Sequence, residues 1–536
     1  MTQDKISLGE KLPKLLAARG VDTVFGIPGV HTVELYRGLD TAGLRHITPR
    51  HEQGAGFMAD GYARASGKPG VCFIISGPGM TNILTAMGQA YADSIPMLVI
   101  STVNAHGRMG SGEGWLHEMP DQSAMVAGVS AFSRTVHRAD ELEKALNDAF
   151  AIFTSARPRP VHIEIPINIM MEMVAADTVA SPPTFYTPAP ARAALGKAQK
   201  LLAAAQRPVI LAGGGARAAK ANVAGLAEAM DAPVVTTTNG RGLLPVGHPL
   251  SVPLTATLPE VHQLIAEADV VLALGTELGP TDYDMFEEEK FAIPGTLIRI
   301  DIDPCQTNRP FPAEIAITAD AAEAAERMLE NWPTPATDRT GAKRAAKARM
   351  GAGGLPELFQ TDLQVLNAMR DSFPGSHIVG DSTQYVYAGN MGFEMSPEAR
   401  YFNSACGFGT LGYGLPAAIG AAVASDKRVI CLSGDGGLQF CLGELSSAVE
   451  VNAPVLLFLH DNQGYGEIKS YMKDRGIPQI GVDIHTPDLS AIAEAAGWVV
   501  LRPNPGELKP ALDAVKDMDG PVMIYLTEAV RQSPFA

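Results

Sequence analysis

The sequence has few cysteines and no long apolar run, and each absence excludes a class of protein. The five cysteines, at positions 72, 305, 406, 431 and 441, form no CxxC pair, and several lie in strongly apolar stretches. This pattern favours reduced, buried thiols over a disulfide or zinc framework. No stretch approaches the roughly 20 apolar residues of a membrane span, and the first residues lack the apolar core of a signal peptide. We therefore expect a cytoplasmic protein without a membrane partner.

Positive charge is also scarce. The chain has 42 Lys and Arg against 58 Asp and Glu, which gives a formal net charge of −16 at pH 7. A surface of this sign repels phosphate backbones, so we expect no nucleic-acid partner. Hydrophobic residues make up 46% of the 536 residues, which is too apolar for a disordered chain. The length corresponds to roughly three or four domains, and we expect an enzyme.

Short apolar runs rich in β-branched residues alternate with Ala-rich helical stretches along the whole chain. Such runs occur at 71–75, 98–100, 161–165, 209–211, 270–274, 297–300, 429–432 and 455–459. Continuous apolar strands bounded by Gly or Asp, with helices between them, predict parallel sheets covered on both faces. The predicted fold class is α/β.

Two stretches interrupt this alternation and predict domain boundaries. Residues 175–191 carry prolines without a helical period, which is typical of an extended linker. Residues 331–356 combine Trp332-Pro333-Thr334-Pro335, a Lys/Arg/Ala-rich piece and a glycine-rich end. The predicted domains are residues 1–175, 192–330 and 356–536, each a doubly wound parallel sheet.

The strongest local signal lies in the third domain, where two polar clusters follow apolar strands. One cluster is Gly434-Asp435-Gly436-Gly437, and the other is Asp461-Asn462-Gln463-Gly464. Open α/β sheets bind ligands at the carboxyl ends of their strands, and glycines there let backbone N–H groups approach an anion. One carboxylate and one amide oxygen suit Mg²⁺, which takes its remaining ligands from phosphate and water. The alternative is a pair of unrelated turns that end two strands.

A second signal is the segment RHEQGA at 50–55. Glu52 precedes small residues, so the backbone packs closely and the carboxylate projects into a cleft. The alternative is a helix cap that offsets the helix dipole. Ser76-Gly77-Pro78-Gly79, directly after a strand, is a third glycine-rich turn of the ligand-binding kind, although many strand-to-helix turns share its composition.

Six motifs, in this order, resemble those of thiamine-diphosphate enzymes of the acetolactate synthase group. They are VFGIPG at 24–29, RHEQGA at 50–55, SGPG at 76–79, IDIDP at 300–304, GTLGYGLPA at 409–417, and GDG at 434–436 followed by Asn462. The resemblance covers nearly the whole chain and implies pyrimidine-binding, central and diphosphate-binding domains. It also implies that the cofactor lies between two subunits, so we expect a homodimer or homotetramer with active sites at the interface.

The resemblance assigns roles to individual residues. It implies that Glu52 hydrogen-bonds the aminopyrimidine ring and that Leu411 wedges the cofactor into a bent form, although an ordinary core leucine is the alternative. It implies Mg²⁺ ligation by the side chains of Asp435 and Asn462 and by the carbonyl of Gly464. The remaining cofactor contacts that it implies are Ser382, Thr383, Gly434, Gly436, Gly437 and Tyr465. The family often has a second asparagine where this chain has Asp461.

Three departures from acetolactate synthases favour decarboxylation of a 2-oxo acid to an aldehyde. Val30 replaces a glycine and narrows the room for a second ketone, and Leu116-His117 replaces a Phe-Gln pair. Gly464-Tyr465-Gly466-Glu467 replaces an apolar stretch that bears Trp. His117 is a candidate proton donor, since imidazole titrates near neutral pH, and a hydrogen-bonded loop histidine is the alternative.

The acidic residues near these positions predict a cationic substrate. Glu113, Glu118, Asp121 and Glu467 would give the cavity a negative lining, whereas solvated loop carboxylates are the alternative for at least two of them. The segments at 26–31 and 116–122 look most like 5-guanidino-2-oxopentanoate (2-ketoarginine) decarboxylases. The candidate substrate residues are Val30, His31, Leu116, His117, Glu118, Gln122 and Glu467.

Two other functions stay open at this point: a carboligase that makes an acetohydroxy acid, and a catalytically silent homologue that acts as a scaffold or regulator. Retention of Glu52, Asp435 and Asn462 argues against the silent homologue. FAD also stays open, because Gly213-Gly214-Gly215 serves either a nucleotide or strand–helix packing. We favour a protein with thiamine diphosphate and Mg²⁺ and without FAD.

Overall fold

The computed structural model describes residues 4–176, 179–285, 291–330, 332 and 340–535. The described residues form three α/β domains, each built on a six-stranded parallel sheet with helices on its faces. The predicted fold class is therefore confirmed. The exact domain boundaries stay predictions.

The N-terminal domain supplies the first eight strands. These are β1 (Lys5–Ser7), β2 (Thr23–Gly26), β3 (Arg45–Ile47), β4 (Gly70–Ile74), β5 (Met97–Val103), β6 (Phe132–Thr135), β7 (Val161–Pro166) and β8 (Met173–Ala175). Its helices are α1 (Leu8–Ala17), α2 (Val33–Tyr36), α3 (Leu39–Ala42), α4 (Glu52–Ser66), α5 (Pro78–Asp93), α6 (Gln122–Ala127), α7 (Leu142–Ser155) and α8 (Ile167–Met170). The sheet order is β3-β2-β4-β5-β7-β6, while β1 and β8 form a separate antiparallel pair. The order reverses between β2 and β4, so a crevice opens beyond the carboxyl ends of these strands.

The central domain has the strand order β11-β10-β9-β12-β13-β14. Its strands are β9 (Pro208–Ala212), β10 (Val234–Thr236), β11 (Ser251–Val252), β12 (Val270–Leu274), β13 (Thr296–Asp301) and β14 (Ile315–Thr318). Its helices are α9 (Arg192–Ala204), α10 (Lys220–Met230), α11 (Pro259–Ala266), α12 (Pro280–Tyr283), α13 (Ala321–Glu330) and α14 (Gly341–Arg349). This order is that of a dinucleotide-binding sheet, which shows the fold of the domain and not its ligand.

The C-terminal domain repeats the strand order of the N-terminal domain, as β16-β15-β17-β18-β20-β19. Its strands are β15 (Ile378–Gly380), β16 (Tyr401–Asn403), β17 (Val429–Gly434), β18 (Val455–Asp461), β19 (Val499–Leu501) and β20 (Val522–Thr527). Its helices are α15 (Glu357–Ser372), α16 (Gln384–Gly392), α17 (Gly414–Val423), α18 (Asp435–Leu438), α19 (Glu444–Glu450), α20 (Gly466–Asp474), α21 (Leu489–Ala495), α22 (Leu508–Ala514) and α23 (Glu528–Gln532). The order reverses between β15 and β17, which places a second crevice there.

The two stretches that predict domain boundaries differ in structure. Residues 179–191 have no helix or strand, as the prolines predict. In the second stretch, residue 331 and residues 333–339 lie outside the described residues, but α14 follows them and packs on the central domain. Ala345 and Ala348 of α14 are buried in a cluster with Val209 and Val271. The Lys/Arg/Ala-rich piece of this stretch therefore forms a helix, which buries only small alanine side chains and so leaves little hydrophobic periodicity in the sequence.

Helices α4 and α17 join the N-terminal and C-terminal domains within one chain. A Cβ atom on Gly61 would lie 1.9 Å from Ala417 O, and one on Gly420 would lie 1.9 Å from Met58 O. Phe57 and Tyr413 pack with their ring centroids 5.2 Å apart, inside a hydrophobic cluster that both domains share. The two glycines therefore let the helix backbones touch.

Arg64 links all three domains from the far end of α4. Its buried guanidinium donates hydrogen bonds to Asp60 Oδ1 (2.7 Å), Asp93 Oδ2 (2.6 Å) and Asn239 Oδ1 of the central domain (2.9 Å). It also lies 5.1 Å from the centroid of the Phe402 ring in the C-terminal domain. These contacts tie the arrangement of the domains to one buried charge.

Two findings bear on the protein's surroundings. Among the described helices, none has the length and apolar character that a membrane span requires. All five cysteines are free; Cys72 and Cys431 are buried, and Cys305 is exposed.

Candidate active site

The crevice of the C-terminal domain is lined by the turns that follow β15 and β17. A turn begins at Gly434. In this turn a Cβ on Gly436 would lie 2.8 Å from the Tyr465 ring, and one on Gly437 would lie 3.0 Å from Asp381 Cγ. Side chains therefore have no room along this turn. The glycines leave a stretch of bare backbone at the start of the short helix α18, beside the carboxylate of Asp435.

Asp435 is held in one orientation by the turn that follows β18. Its Oδ1 accepts the N–H of Asn462 (3.3 Å), and its Oδ2 accepts the N–H of Gly464 (2.9 Å) and the hydroxyl of Thr486 (2.8 Å). The carboxylate is 1% exposed. Burial raises its pKa, while the Thr486 bond works in the opposite direction. A cation in contact with the carboxylate would lower the cost of this buried charge.

The side-chain amide of Asn462 and the carbonyl of Gly464 lie beside this carboxylate. The Asn462 side-chain amide places one terminal atom 2.8 Å from Gly464 O and 3.1 Å from Asp435 Oδ1. With Nδ2 in that place, the amide donates hydrogen bonds to both oxygens. A hard cation beside Asp435 would require the amide to turn its Oδ1 to this position. Gly464 has a φ of +148°, which side-chain-bearing residues rarely adopt, so this position of its carbonyl depends on glycine. These residues fit Mg²⁺, which needs few protein ligands.

No cluster of three His, Cys, Asp or Glu suited to a metal occurs among the described residues. The Asp435 group is of a different type, because its donors are one carboxylate, one amide and one carbonyl. Asp461, which precedes Asn462, is already bonded to the Tyr525 hydroxyl and to the side-chain amide of Gln463.

Asp381 is a residue of this crevice that the sequence interpretation missed. Its buried carboxylate accepts the N–H of Ser382 (2.8 Å) and of Gly414 (3.1 Å), so it joins the turn after β15 to the start of α17. Burial raises its pKa to about 6, against the lowering effect of these N–H groups. Its position in the sequence could have indicated it, because Asp381 directly follows a strand, as Asp435 does. Half-buried Leu411 lies just before the turn that Asp381 holds.

The crevice of the N-terminal domain contains Glu52, the first residue of α4. The helix is capped not by Glu52 but by His51, whose Nδ1 accepts the N–H of Gln53 (3.1 Å). The Glu52 carboxylate instead accepts the side-chain amide of Asn82 (2.9 Å) through Oε2. Its Oε1 would lie 3.4 Å from a Cβ on Gly79. The carboxylate therefore faces the turn after β4, while its place in the first turn of α4 also agrees with the alternative of a charge that offsets the helix dipole.

His117 and His31 meet at the same crevice. Their ring centroids lie 5.2 Å apart, and His31 Nδ1 lies 2.8 Å from Ser76 Oγ. Burial and the neighbouring His117 lower the pKa of His31. His117 has a φ of +59°, and its Nδ1 is buried without a hydrogen-bond partner in the described structure. His117 is therefore not simply a hydrogen-bonded loop histidine.

The buried side chain of Gln122 supports the turn beneath these rings. Its Oε1 accepts the N–H of Gly77 (2.9 Å), and its Nε2 donates to Ser101 Oγ (3.1 Å) and Glu164 Oε2 (2.9 Å). Gln122 is 3% exposed, so in this chain it holds the turn from below. A direct contact of Gln122 with substrate stays a prediction.

The four acidic side chains that predict a cationic substrate have different surroundings. Glu118 accepts hydrogen bonds from Ser111 Oγ and from the N–H groups of Gly112, Gly114 and Trp115. These bonds lower its pKa against the opposing effect of desolvation. Asp121 caps α6 by accepting the N–H of Ala124 (2.8 Å). Glu113 accepts the indole N–H of Trp115 (2.9 Å). The alternative of loop carboxylates thus describes Glu113, Glu118 and Asp121.

Glu467 lies at the other crevice. Its Oε2 accepts the side-chain amide of Gln384 (2.8 Å), and the side chain is exposed at the start of α20. Burial raises the pKa of the half-buried Tyr387 to about 12, and the negative charge of nearby Glu467 adds to this effect. Glu467 therefore lies in the same domain as Asp435, whereas the other three acidic residues lie in the N-terminal domain.

The glycine run of the central domain packs against a neighbouring turn. A Cβ on Gly213 would lie 2.3 Å from Gly275 O, and one on Gly215 would lie 3.0 Å from Gly275 Cα. Close backbone packing therefore accounts for these glycines. Binding of FAD stays untested.

Comparison with known proteins gives matches along most of the chain. The models of the N-terminal TPP binding domain, the central domain and the C-terminal TPP binding domain of thiamine pyrophosphate enzymes match residues 6–125, 195–328 and 380–526. A probable 2-ketoarginine decarboxylase from Pseudomonas aeruginosa, AruI, is 43% identical over 98% of this chain and 95% of its own. A probable acetolactate synthase large subunit from Methanocaldococcus jannaschii is 31% identical over 94% and 88%. The large subunit of acetolactate synthase isozyme 1 from Escherichia coli is 29% identical over 96% and 95%.

Proposed function

The chain belongs to the thiamine pyrophosphate enzyme family, and we propose that it decarboxylates a 2-oxo acid to an aldehyde without oxidation. The observation that carries the proposal is the grouping of the Asp435 carboxylate, the Asn462 amide and the Gly464 carbonyl beside a glycine turn, a donor set that fits a magnesium-bound diphosphate. The relative at 43% identity, a probable 2-ketoarginine decarboxylase, supports decarboxylation as the reaction.

The C-terminal crevice would hold the diphosphate end of the cofactor. Asp435, Asn462 and the Gly464 carbonyl would ligate Mg²⁺. The diphosphate would contact the turns at Ser382, Thr383, Gly434, Gly436, Gly437 and Tyr465, and Leu411 would support the cofactor from below. Bound there, thiamine diphosphate (pyrophosphate) supplies a carbon nucleophile that attacks the ketone of a 2-oxo acid and accepts the electrons released with CO₂.

Glu52 would share a proton with a nitrogen of the aminopyrimidine ring. Asn82 holds one carboxylate oxygen, which leaves Oε1 toward the Gly79 turn and free to share a proton with a ring nitrogen. His117, whose ring packs against His31 and whose buried Nδ1 has no hydrogen-bond partner in the described structure, would deliver a proton to the reacting carbon after CO₂ has left.

We propose that two chains complete each site, in a homodimer or homotetramer. The contacts of Glu52 lie in the N-terminal domain and those of Asp435 in the C-terminal domain. Both crevices have exposed apolar side chains, with Val30 68% and Leu116 58% exposed on one and Phe440 56% exposed on the other. A second copy of the chain would cover these side chains.

The proposed substrate is 2-ketoarginine, whose guanidinium would be recognised by an acidic side chain. Glu467 suits this role because a single side-chain amide engages it, whereas Glu118 and Asp121 are used by their own loop. Val30, His31 and Leu116 would line the reacting end of the substrate, above the turn that Gln122 supports. Free cysteines, two of them buried, support a cytoplasmic location.

A substrate panel scored by CO₂ release tests this function. We expect release from 2-ketoarginine to be much faster than release from pyruvate, and to require both thiamine diphosphate and Mg²⁺. The Glu52→Gln variant should lose activity while its thermal unfolding stays unchanged, because the amide cannot accept a ring proton. Equal or reversed rates for the two substrates would refute the substrate assignment.

Carboligation is the second candidate function, because acetolactate synthases match nearly the whole chain at 29% to 31% identity. Incubation with pyruvate alone separates the two reactions. Acetolactate as the product would support carboligation, and slow aldehyde formation or no product supports the decarboxylase. Absorbance in the flavin band of the purified protein would show FAD, which we do not expect. Lack of all turnover by cofactor-loaded protein would favour a scaffold.

A further inference from the structure

A buried carboxylate of the C-terminal domain contacts the backbone directly before Glu52. Glu444, the first residue of α19, accepts the N–H of Arg50 at 3.0 Å (Oε1) and 3.2 Å (Oε2), and the N–H of His51 at 3.2 Å (Oε1). The Ser447 hydroxyl donates to its Oε2 (2.6 Å). The residue is 1% exposed. A glutamate almost 400 positions along the chain therefore fixes the two peptide groups that lead into Glu52.

The start of α4 is shaped to admit this carboxylate. A Cβ on Gly54 would lie 2.2 Å from Glu444 Oε1, so any side chain at that position would displace the carboxylate. Burial raises the pKa of Glu444, whereas its bonds to Ser447 and to the Arg50 and His51 N–H groups favour the charged form. A negative charge at the amino end of α4 also interacts favourably with the helix dipole.

The geometry sets the direction of Glu52. The N–H groups of Arg50 and His51, which directly precede Glu52 in the chain, are held by the Glu444 carboxylate. Hydrogen bonds to a charged acceptor are stronger than those between neutral groups. A shift of about 1 Å in a group that handles a proton is enough to slow a reaction strongly. The contact therefore bears on the proton chemistry of Glu52 as well as on stability.

We propose that Glu444 is a positioning residue for Glu52. The inference rests on the proposed function, in which Glu52 acts in a site completed by the partner chain. Glu444 follows Asp435 by nine positions, directly after the diphosphate turn of its own domain. It therefore connects the magnesium turn of one active site to the proton-handling carboxylate of the other.

Deuterium exchange at C2 of bound thiamine diphosphate in the holoenzyme tests the proposal, because this exchange depends on Glu52 and not on substrate. In Glu444→Gln, the amide oxygen can keep the two bonds that Oε1 accepts, but the N–H₂ group in the place of Oε2 faces the Arg50 N–H and the negative charge is lost. We expect C2 exchange and kcat to fall by roughly 10- to 100-fold, which matches the loss of one or two charge-assisted bonds, with KM nearly unchanged.

Glu450→Gln is the matched control. Glu450 is on the same helix and pairs with the Arg50 guanidinium, but both side chains are partly exposed, so the pair contributes little. Its exchange rate should stay near that of the wild type. Gly54→Ala is the second variant, because it displaces the Glu444 carboxylate without removing its charge. It should slow exchange in the same direction, and it keeps the test open if Glu444→Gln does not fold.

The outcomes separate the two proposals. Wild-type protein that binds no thiamine diphosphate or exchanges no C2 proton would overturn the proposed function. An active wild type with Glu444→Gln and Gly54→Ala exchanging at the wild-type rate would overturn the positioning role alone. Slowed exchange with unchanged cofactor affinity in folded variants supports it.

Discussion

His162 shows how far burial acts on a single residue in this protein. The ring is fully buried on β7, with Nε2 2.8 Å from Ser101 Oγ and Nδ1 2.7 Å from Ser133 Oγ. Burial lowers its pKa to about 3, so the ring is neutral at physiological pH. Ser101 also accepts a hydrogen bond from Gln122, which in turn holds the Gly77 turn. The neutral ring is thus part of the support of the N-terminal crevice.

The lowered pKa of His162 predicts a loss of stability in acid. Between pH 6.5 and about 3, the unfolded chain binds a proton at this ring and the folded protein does not, so the free energy of unfolding falls as the pH falls. The contribution has a slope of at most about 1.4 kcal/mol per pH unit. Thermal unfolding of His162→Gln should show a shallower dependence on pH over this range than the wild type. Parallel curves for the two proteins would contradict the prediction.

Single residues also show what a sequence leaves out. The sequence predicted that Glu118 and Asp121 line the substrate cavity. In the structure, both side chains accept hydrogen bonds within their own loop. The sequence did not predict Asp381, which joins the turn after β15 to α17, or Thr486, which orients Asp435. Residue type can be read from a sequence, but the hydrogen-bond partner depends on turns whose geometry it does not specify.

At the scale of elements, the crossing of α4 and α17 depends on glycine. Gly61 and Gly420 each approach a carbonyl of the other helix more closely than any Cβ would allow. A glycine costs helix stability unless such contact requires it. By contrast, Gly196 in α9 has open space around its Cα atom.

The same substitution should therefore have opposite effects in the two helices. Gly61→Ala should destabilise the protein by about 1–3 kcal/mol, since it forces the two helices apart. Gly196→Ala should stabilise it by about 0.5–1 kcal/mol, through the higher helix propensity of alanine. Melting temperatures of the two variants give the sign directly. A Gly61→Ala protein as stable as the wild type would show that the crossing tolerates a side chain.

Elements themselves were largely predictable. All eight apolar runs proposed as strands lie within or overlap strands of the structure, since buried parallel strands need continuous apolar sequence. Helix α14 was missed because its buried side chains are alanines between lysines and arginines. The pairing of β1 with β8 was missed because each strand is only three residues long.

At the scale of the whole molecule, the proposed sharing of sites between chains has a quantitative consequence. Glu52→Gln and Asp435→Ala chains are each expected to be inactive. In a dimer that contains one of each, one site receives an intact Glu52 and an intact Asp435, and the other site receives both defects. Random mixing should therefore restore about a quarter of the wild-type activity.

Co-expression of the two variants, followed by the CO₂ assay, measures this recovery. Each variant expressed alone is the control. Activity that stays at the level of the single variants in a mixed oligomer would show that one chain supplies both halves of its own site.

The overall architecture was predictable because strand and helix patterns are local in sequence. Contacts between domains were not, and Glu444 is the example. Its partners Arg50 and His51 lie in another domain, and nothing local in either segment indicates the contact. Motif order identified the family, yet the positions of Glu444 and Asp381 required the folded chain.

The buried guanidinium of Arg64 has one more consequence. Its partners come from the N-terminal and central domains, and it lies against an aromatic ring of the C-terminal domain. In a fragment without the central or the C-terminal domain, the Arg64 guanidinium would lose its contact with Asn239 or with the Phe402 ring and would become partly exposed to water. Attempts to produce the domains separately should therefore yield weakly soluble pieces, so biochemical dissection of this enzyme is best done by point substitution in the intact polypeptide.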